Sequence, residues 1–359
     1  MQEEYSALMH NSTWQLVPQP PPHTAPVIGS KWVFWIKKHP DGTIQKYKAR
    51  LVAKGFHQRE EVNYDQVFSP VIRPPTVWVM LSLALSKGWP IRHFDFNNAF
   101  LNGDLQETLK ETLNRLGFTN TKSDTSLLTR FSHSSVIYVL VYVDDILVTG
   151  SSQVEIYDLI VQLNAVFALK DLGKMSYFLG IEAMKFNDSD ILICQTKYIK
   201  DLLTKAGMRD AKAVPTPMVS NLKLSAHGED VHHNLALYRS IVDGLQYATI
   251  TRPEITFAVN KVSQFMHTPL KSHWKAVKRI LRYLAGTIDY GLMLQRTNEC
   301  QIYGFSDSDW DSDIDDRKST SGFCVFLGPN LVSWSSRKQK CSLKKLHRGR
   351  VSRASCRLD

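Results

Sequence analysis

With 359 residues, 43% of them hydrophobic and 22% charged, the chain is long enough for two or three packed domains and too apolar to be a disordered polypeptide. Its formal net charge of +10 sits mostly at one end: residues 337–359 hold nine Lys or Arg and one acid, against 35 bases and 33 acids elsewhere. Nucleic-acid binding by the main body would therefore need local basic patches. Five scattered cysteines without a Cys-x-x-Cys spacing, and twelve histidines without an HExxH or Cys/His cluster, argue against structural zinc and for a reducing compartment.

The opening MQEEYSALMHN lacks the basic and apolar regions of a secretory signal, and no apolar run is long enough for a membrane span. A cytoplasmic or nuclear location, with no membrane partner, is the expectation. PQPPPHTAP, residues 18–26, reads as an extended linker. From Lys31 to Gly55 apolar and basic residues alternate around Asp41-Gly42, which predicts a hairpin. Its bases Lys37, Lys38, Lys46, Lys48, Arg50 and Lys54, interleaved with Trp32, Phe34, Trp35 and Tyr47, suit a phosphate backbone; a solvated strand face is the plainer alternative.

A helix is predicted over Thr76 to Ser86, then a strand from Ile91 to Phe96 that carries Asp95 at its end. DLQETLKETLNRLG follows as a helix with Asp104 as N-cap, Leu105, Leu109, Leu113 and Leu116 on one face, and Gly117 as stop. Next, SSVIYVLVYVDDILVTGS reads as two strands around Asp144-Asp145. An Asp-Asp pair is a poor choice for a type I′ turn, whose central residues need positive φ. Two adjacent carboxylates repel unless a cation lies between them, and hard oxygen ligands suit Mg²⁺ or Mn²⁺. A solvated turn remains the alternative at this point. Ser152 and Glu155 predict a capping box for a helix through Phe167, and short strands follow around Met175–Met184 and Ile191–Cys194. Strand, helix, strand, strand, helix, strand is the split βαβ, or ferredoxin-like, order of an α+β fold. It brings Asp95 beside Asp144 and Asp145.

After Pro215-Thr-Pro217 the pattern turns helical, with Pro253–Met266 and then SHWKAVKRILRYLAG, capped by Ser272 and stopped by Gly286. The second helix has an apolar face (Trp274, Val277, Ile280, Leu281, Leu284) and a basic one (Lys275, Lys278, Arg279, Arg282). That basic face suits either nucleic acid or solvent. QIYGFSDSDW, SGFCVFLG and LVSWSS predict three strands, and beyond Lys340 no core-forming pattern is left, so disorder is expected.

In this order, KWVFWIKKHPDGTIQKYKARLVAKGF, FDFNNAFLNGDL, YVDDILVTGS, YFLGIE, QTKYIKDLL, TPM, RSIVDGLQYATITRPEI, HWKAVKRILRYLAGT and DRKSTSGFCVFLG resemble the blocks of the Ty1/copia-type retrotransposon polymerase. The resemblance implies an N-terminal extension at 1–26, reverse transcriptase fingers and palm at 27–214, a helical connection at 215–298, a partial ribonuclease H-like sheet at 299–340 and a basic disordered tail at 341–359. It implies catalytic, metal-binding carboxylates at Asp95, Asp144 and Asp145, holding two Mg²⁺ or Mn²⁺ ions for transfer from a dNTP to the primer 3′-hydroxyl of an RNA/DNA template-primer. Lys48, Arg50 and Lys54 match the segment that meets the triphosphate. Phe100 matches the ring beneath the sugar, with a buried core phenylalanine as its alternative. Asp307 matches the first aspartate of the ribonuclease H domain.

The sequence also departs from the pattern. Only 49 positions separate Asp95 from Asp144, where the family has a longer stretch with a nucleotide-positioning block, so the palm reads as shortened near 105–115. CSLKKLHRGR stands where the next ribonuclease H acid belongs, so that activity is not expected. Trp78 and Ala285 stand where arginine and lysine would be common. The chain thus reads as a degenerate or truncated copy of an RNA-directed DNA polymerase, with a catalytically inactive nucleic-acid-binding relic as the alternative. Integrase and protease of the parent polyprotein are implied partners outside the chain.

Overall fold

The computed structural model describes residues 27–38, 43–54, 73–96, 105–143, 145–167, 169–187, 189–220, 222–309, 313–339 and 352–354, with single residues at 5, 9 and 18. β1 (Ser30–Lys38) and β2 (Ile44–Ala53) pair antiparallel in a sheet of their own. The register sets Val33 opposite Arg50 and Trp35 opposite Lys48, while Trp32, Phe34, Ile36, Tyr47 and Leu51 occupy the alternate positions. Trp32 and Phe34 stack at 6.4 Å, and Phe34, Ile36 and Tyr47 are exposed. The predicted Asp41-Gly42 turn lies outside the described residues.

Next come α1 (Pro74–Lys87), β3 (Ile91–Phe96), α2 (Leu105–Arg115), β4 (Thr119–Asn120), β5 (Leu127–Phe131), β6 (Val136–Tyr142), β7 (Asp145–Gly150), α3 (Gln153–Val166) and β8 (Leu169–Lys174). Their strands form one antiparallel sheet in the order β4-β5-β6-β7-β3-β8. The segment β8-β3-β7-β6 has the order that a split βαβ unit requires. Alternation sends Phe94, Ile146 and Val148 to one face, where they are buried with Leu109 and Leu113 of α2 and Ile156, Leu159 and Leu163 of α3. Leu140 and Leu147 face the other way, into a core with Val77, Trp78 and Leu81 of α1. Trp78 is 1% exposed, so the unusual residue at that position serves packing.

Three expectations need correction here. The last strand of this sheet is β8, earlier than the predicted Met175–Met184. Its sequence LKDLGK is mostly exposed on a sheet edge and so lacks the apolar alternation that marks a strand. Strands β4 and β5 were not foreseen. Of the predicted capping box only half forms: Ser152 Oγ accepts from Glu155 N–H, but the Glu155 carboxylate accepts from Arg130 and Ser135 instead.

Asp124, in the loop before β5, caps α1 from a distance. Its carboxylate accepts from Arg73 N–H at 3.1 Å, Thr76 Oγ1 at 2.7 Å and Ser126 N–H at 2.9 Å. Burial works to raise its pKa, but the bonds from Thr76, Ser126 and Arg73 outweigh that and hold it below the usual carboxylate value. Asp124→Ala strands these donors at a residue only 5% exposed, and is expected to cost about 1–3 kcal/mol, read as a lower denaturant midpoint.

The rest of the chain adds β9 (Tyr177–Phe178), β10 (Ile181–Lys185), β11 (Ile191–Cys194), α4 (Thr196–Lys205), α5 (Leu235–Ala248), a 3-10 turn at Pro253–Ile255, α6 (Thr256–Ser263), α7 (Lys271–Gly286) and β12 (Leu292–Leu294). The strands form a second sheet, β12-β11-β10-β9, and the four helices share one core around Tyr238, Ile241, Leu245, Val262, Val277 and Ile280. β13 (Ile302–Ser308), β14 (Thr320–Leu327), β15 (Asn330–Lys338) and β16 (Ser352–Ala354) form a third, in the order β15-β14-β13-β16. β15 packs on α1 and α6, and Trp334 Nε1–H donates to Thr249 O at 3.2 Å. β16 lies in the tail expected to be disordered; β13 would otherwise be a sheet edge, whose unpaired backbone groups accept any extended segment.

α7 begins two residues earlier than Ser272 suggests, with Leu270 at the cap. Leu270 N–H donates to His273 Nδ1 at 2.9 Å, which leaves Nε2–H to donate to Ser225 O, also at 2.9 Å. The ring stacks on Phe265 at 3.8 Å and is fully buried, and burial pushes its pKa down. A group protonated more readily unfolded than folded stabilises the native state above its unfolded pKa, and loses that stabilisation as the pH falls below it. Denaturant midpoints are thus expected to drop between pH 7.5 and pH 5, and the drop should shrink in His273→Gln.

Candidate active site

Register decides where the carboxylates meet. Asp95 of β3 lies directly opposite Asp145 of β7, Asp145 is also opposite Tyr142 of β6, and Asp95 is opposite Lys170 of β8. Directly opposed residues share a face, so Tyr142, Asp145, Asp95 and Lys170 form one row across four strands. Two like charges set opposite each other in a ladder destabilise it unless a cation or base compensates. β6 ends at Tyr142 and β7 begins at Asp145, so Asp145 belongs to the strand and not, as expected, to the turn. Val143 has φ 51°, an unusual backbone for a β-branched residue and of the kind that gathers at functional sites. Asp144 lies outside the described residues.

His93 was missed by sequence reasoning, although its place two residues before Asp95 in a strand puts both on one face. Its Nε2 is 2.9 Å from Asp145 Oδ1, and the residue is 6% exposed. The ring of Phe178 meets it edge-on at 5.8 Å. Tyr177 is close enough to respond to the site: burial first, then the charges of Glu182, Asp201 and Asp145, push its phenol pKa up. Among the described residues no group of three or more His, Cys, Asp or Glu is arranged to hold a metal ion. The donor chemistry of Asp95 and Asp145 fits a hard cation, since both offer carboxylate oxygens.

The other candidate residues are spread over separate sheets and helices. Lys48 and Arg50 occupy β2, and Lys54, just past it, donates its backbone N–H to Gly29 O at 2.8 Å. Phe100 lies outside the described residues. Lys275 and Lys278 of α7 are exposed, with the Lys278 ammonium 5.8 Å over the Trp274 ring. Arg279 and Arg282 have structural tasks: Arg279 donates to Thr216 Oγ1 at 2.8 Å and Arg282 to Lys212 O at 2.6 Å, tying the chain on both sides of Pro215 to the helix. Asp307 sits exposed on β13, its Oδ1 accepting from Ser308 N–H.

A family model for the reverse transcriptase (RNA-dependent DNA polymerase) matches residues 11–110 and 106–220, and so covers more than half of the chain. The chain belongs to the reverse transcriptase family. Retrovirus-related Pol polyproteins from two plant transposons align with 95% of it: RE1 of Arabidopsis thaliana at 40% identity over 378 positions, and TNT 1-94 of Nicotiana tabacum at 36% over 388. The chain spans 26% and 29% of those polyproteins, about a quarter of their length. An uncharacterized mitochondrial protein of Arabidopsis thaliana is 45% identical over 203 residues, which cover 84% of that protein. No solved structure matches. The reverse transcriptase match contains both β3 and β7, and hence Asp95 and Asp145, whereas α7 and β13 lie beyond its end at residue 220. No helix among the described residues is long and apolar enough to cross a membrane.

Proposed function

We propose that this chain is the polymerase portion of a copia-type transposon Pol polyprotein and that its activity is RNA-directed DNA synthesis. The observation that carries the reading is the direct cross-strand pairing of Asp95 with Asp145 inside the family match. In this reading residues 27–214 are the fingers and palm, 215–298 the helical connection and 299–340 a ribonuclease H-like remnant in which Asp307 is vestigial. Asp95, Asp144 and Asp145 would hold two Mg²⁺ or Mn²⁺ ions, which supply Lewis-acid activation of the primer hydroxyl and charge neutralisation at the leaving pyrophosphate. Lys48, Arg50 and Lys54 bind the triphosphate, the arginine through its two-pronged fork, and Phe100 lies under the dNTP sugar. Lys275 and Lys278 meet the backbone of the RNA/DNA template-primer, with Arg279 and Arg282 holding their helix in place. Integrase and protease belong to the parent polyprotein.

The test is incorporation of dTTP on poly(rA)/oligo(dT) by the purified chain with Mn²⁺ or Mg²⁺. Product that depends on the metal supports the reading; none with either metal overturns it.

A second reading is favoured by a specific observation. The family match falls into two pieces meeting at 106–110, and the RE1 alignment runs over 378 positions against 359 residues here, so the relative has residues that this chain lacks. Loss of a block between Asp95 and Asp144 would leave a chain that binds template-primer without extending it. Gel-shift binding in the absence of incorporation is the expected result of that reading.

A further inference from the structure

We propose that His93 and Tyr247 are positioning residues for Asp145, and that the helical module thereby fixes one carboxylate of the active site. The proposal rests on the polymerase reading above, and its support is a continuous set of contacts. His93 Nε2 bonds Asp145 Oδ1 at 2.9 Å and so selects one orientation of the carboxylate. His93 is held in turn by the edge of Phe178, a residue 1% exposed and set at 85° to the imidazole.

Phe178 ends β9, and the two residues that join it to β10 are Leu179 at φ 51° and Gly180 at φ 73°. Two positive φ values in a two-residue hairpin are the mark of a type I′ turn, and the leucine adopts that conformation against its steric preference. Tyr247 of α5 supplies what holds it. Its phenol donates to Leu179 O, and its ring meets that of Tyr198 at 4.8 Å. A Cβ on Gly180 would come within 2.8 Å of Tyr247 Oη, so glycine at 180 is what lets the phenol approach. Burial, with Tyr177, Tyr198 and Tyr142 nearby, pushes the Tyr247 phenol up to about 12, and it remains a donor at any working pH. Tyr198, for its part, donates to Gly244 O at 3.0 Å, which anchors the pair to α5.

The sequence blocks YFLGIE and RSIVDGLQYATI, which the proposed chemistry leaves without a task, thus meet at one hydrogen bond. Removing the phenolic hydroxyl frees the turn, loosens the Phe178 edge and lets the His93–Asp145 bond lengthen. Histidine-held carboxylates of this kind lose about 10–100-fold in activity or metal affinity when the outer partner is lost.

The experiment uses the full chain in four forms: wild type, His93→Gln, His93→Leu and Tyr247→Phe. In metal-free protein, ¹⁵N NMR of the His93 side chain is expected to show a hydrogen-bonded Nε2–H that shifts or broadens in Tyr247→Phe. In Mn²⁺-dependent extension, Tyr247→Phe is expected to lower kcat about tenfold with the dTTP KM unchanged. His93→Leu should fall further, and His93→Gln, whose amide can still donate to Asp145, should recover most of the rate. A wild-type His93 signal carried over unchanged into Tyr247→Phe overturns the proposal, as does full kcat in His93→Leu. If wild type makes no product, the polymerase reading fails, and the NMR arm still decides whether Tyr247 governs the His93–Asp145 bond.

Discussion

Asp145→Asn is expected to lower metal-dependent primer extension by about 10³-fold, to the limit of most assays, while leaving the fold intact. The size follows from what a carboxylate does in a two-ion site: the ions contribute several kcal/mol of transition-state stabilisation, and each 1.4 kcal/mol lost is about tenfold in rate. Preservation of the fold follows from the surroundings. Asp145 is at the end of β7 with its side chain 31% exposed, and an asparagine oxygen can still accept from His93 Nε2. Removing one negative charge also relieves the repulsion across from Asp95, so thermal stability should hold or rise slightly. Extension is measured by dTTP incorporation and folding by near-ultraviolet circular dichroism. An Asp145→Asn protein that extends primers within threefold of wild type would remove Asp145 from the catalytic set.

Restoring the block that the second reading takes as lost between Asp95 and Asp144 should act in the opposite direction. Insertion of the corresponding residues of the RE1 polyprotein between Glu107 and Thr112 is expected to raise the extension rate by about 10²-fold or more, because misplacing a reacting group by as little as 1 Å can cost that much. The insertion point is compatible with the core. Leu113, on the C-terminal side of the insertion, is buried in the same core as Ile156 and Leu159 and stays seated, whereas Leu109 lies inside the interval, so the inserted block must place an apolar residue where Leu109 packs. Single-turnover incorporation with and without the insert is the measurement. No gain, with template-primer binding kept, would mean that the shortened segment is not what limits the chain.

The elements readable in the sequence are those whose side chains alternate or repeat against a core. Ile91–Phe96 is one, since His93 and Phe94 face opposite cores; the helix carrying Leu109 and Leu113 is another. β8 was not readable because both sides of an exposed edge strand tolerate polar residues. Nor was the true start of α7, where His273 accepts from the Leu270 backbone and makes a serine cap unnecessary. At the site, the approach of Asp95 to Asp145 could be inferred from topology. The hairpin turn was displaced by one residue, because two acids drew attention from Val143, whose shape disfavours the backbone it adopts. His93, Phe178 and Tyr247 come from three distant parts of the chain, and no local pattern links them.

The strand order carries a consequence for how the molecule assembles. β6 and β7 are neighbours in sequence and can pair early, while β3 must slot between β7 and β8 after a loop of about 50 residues has closed. Asp145 is thus carried by a local hairpin, and Asp95 arrives only with a long-range pairing. Refolding followed by hydrogen exchange is expected to protect Val139 and Val148 before Phe94. The order of events keeps the two like charges apart until the rest of the sheet can hold them together.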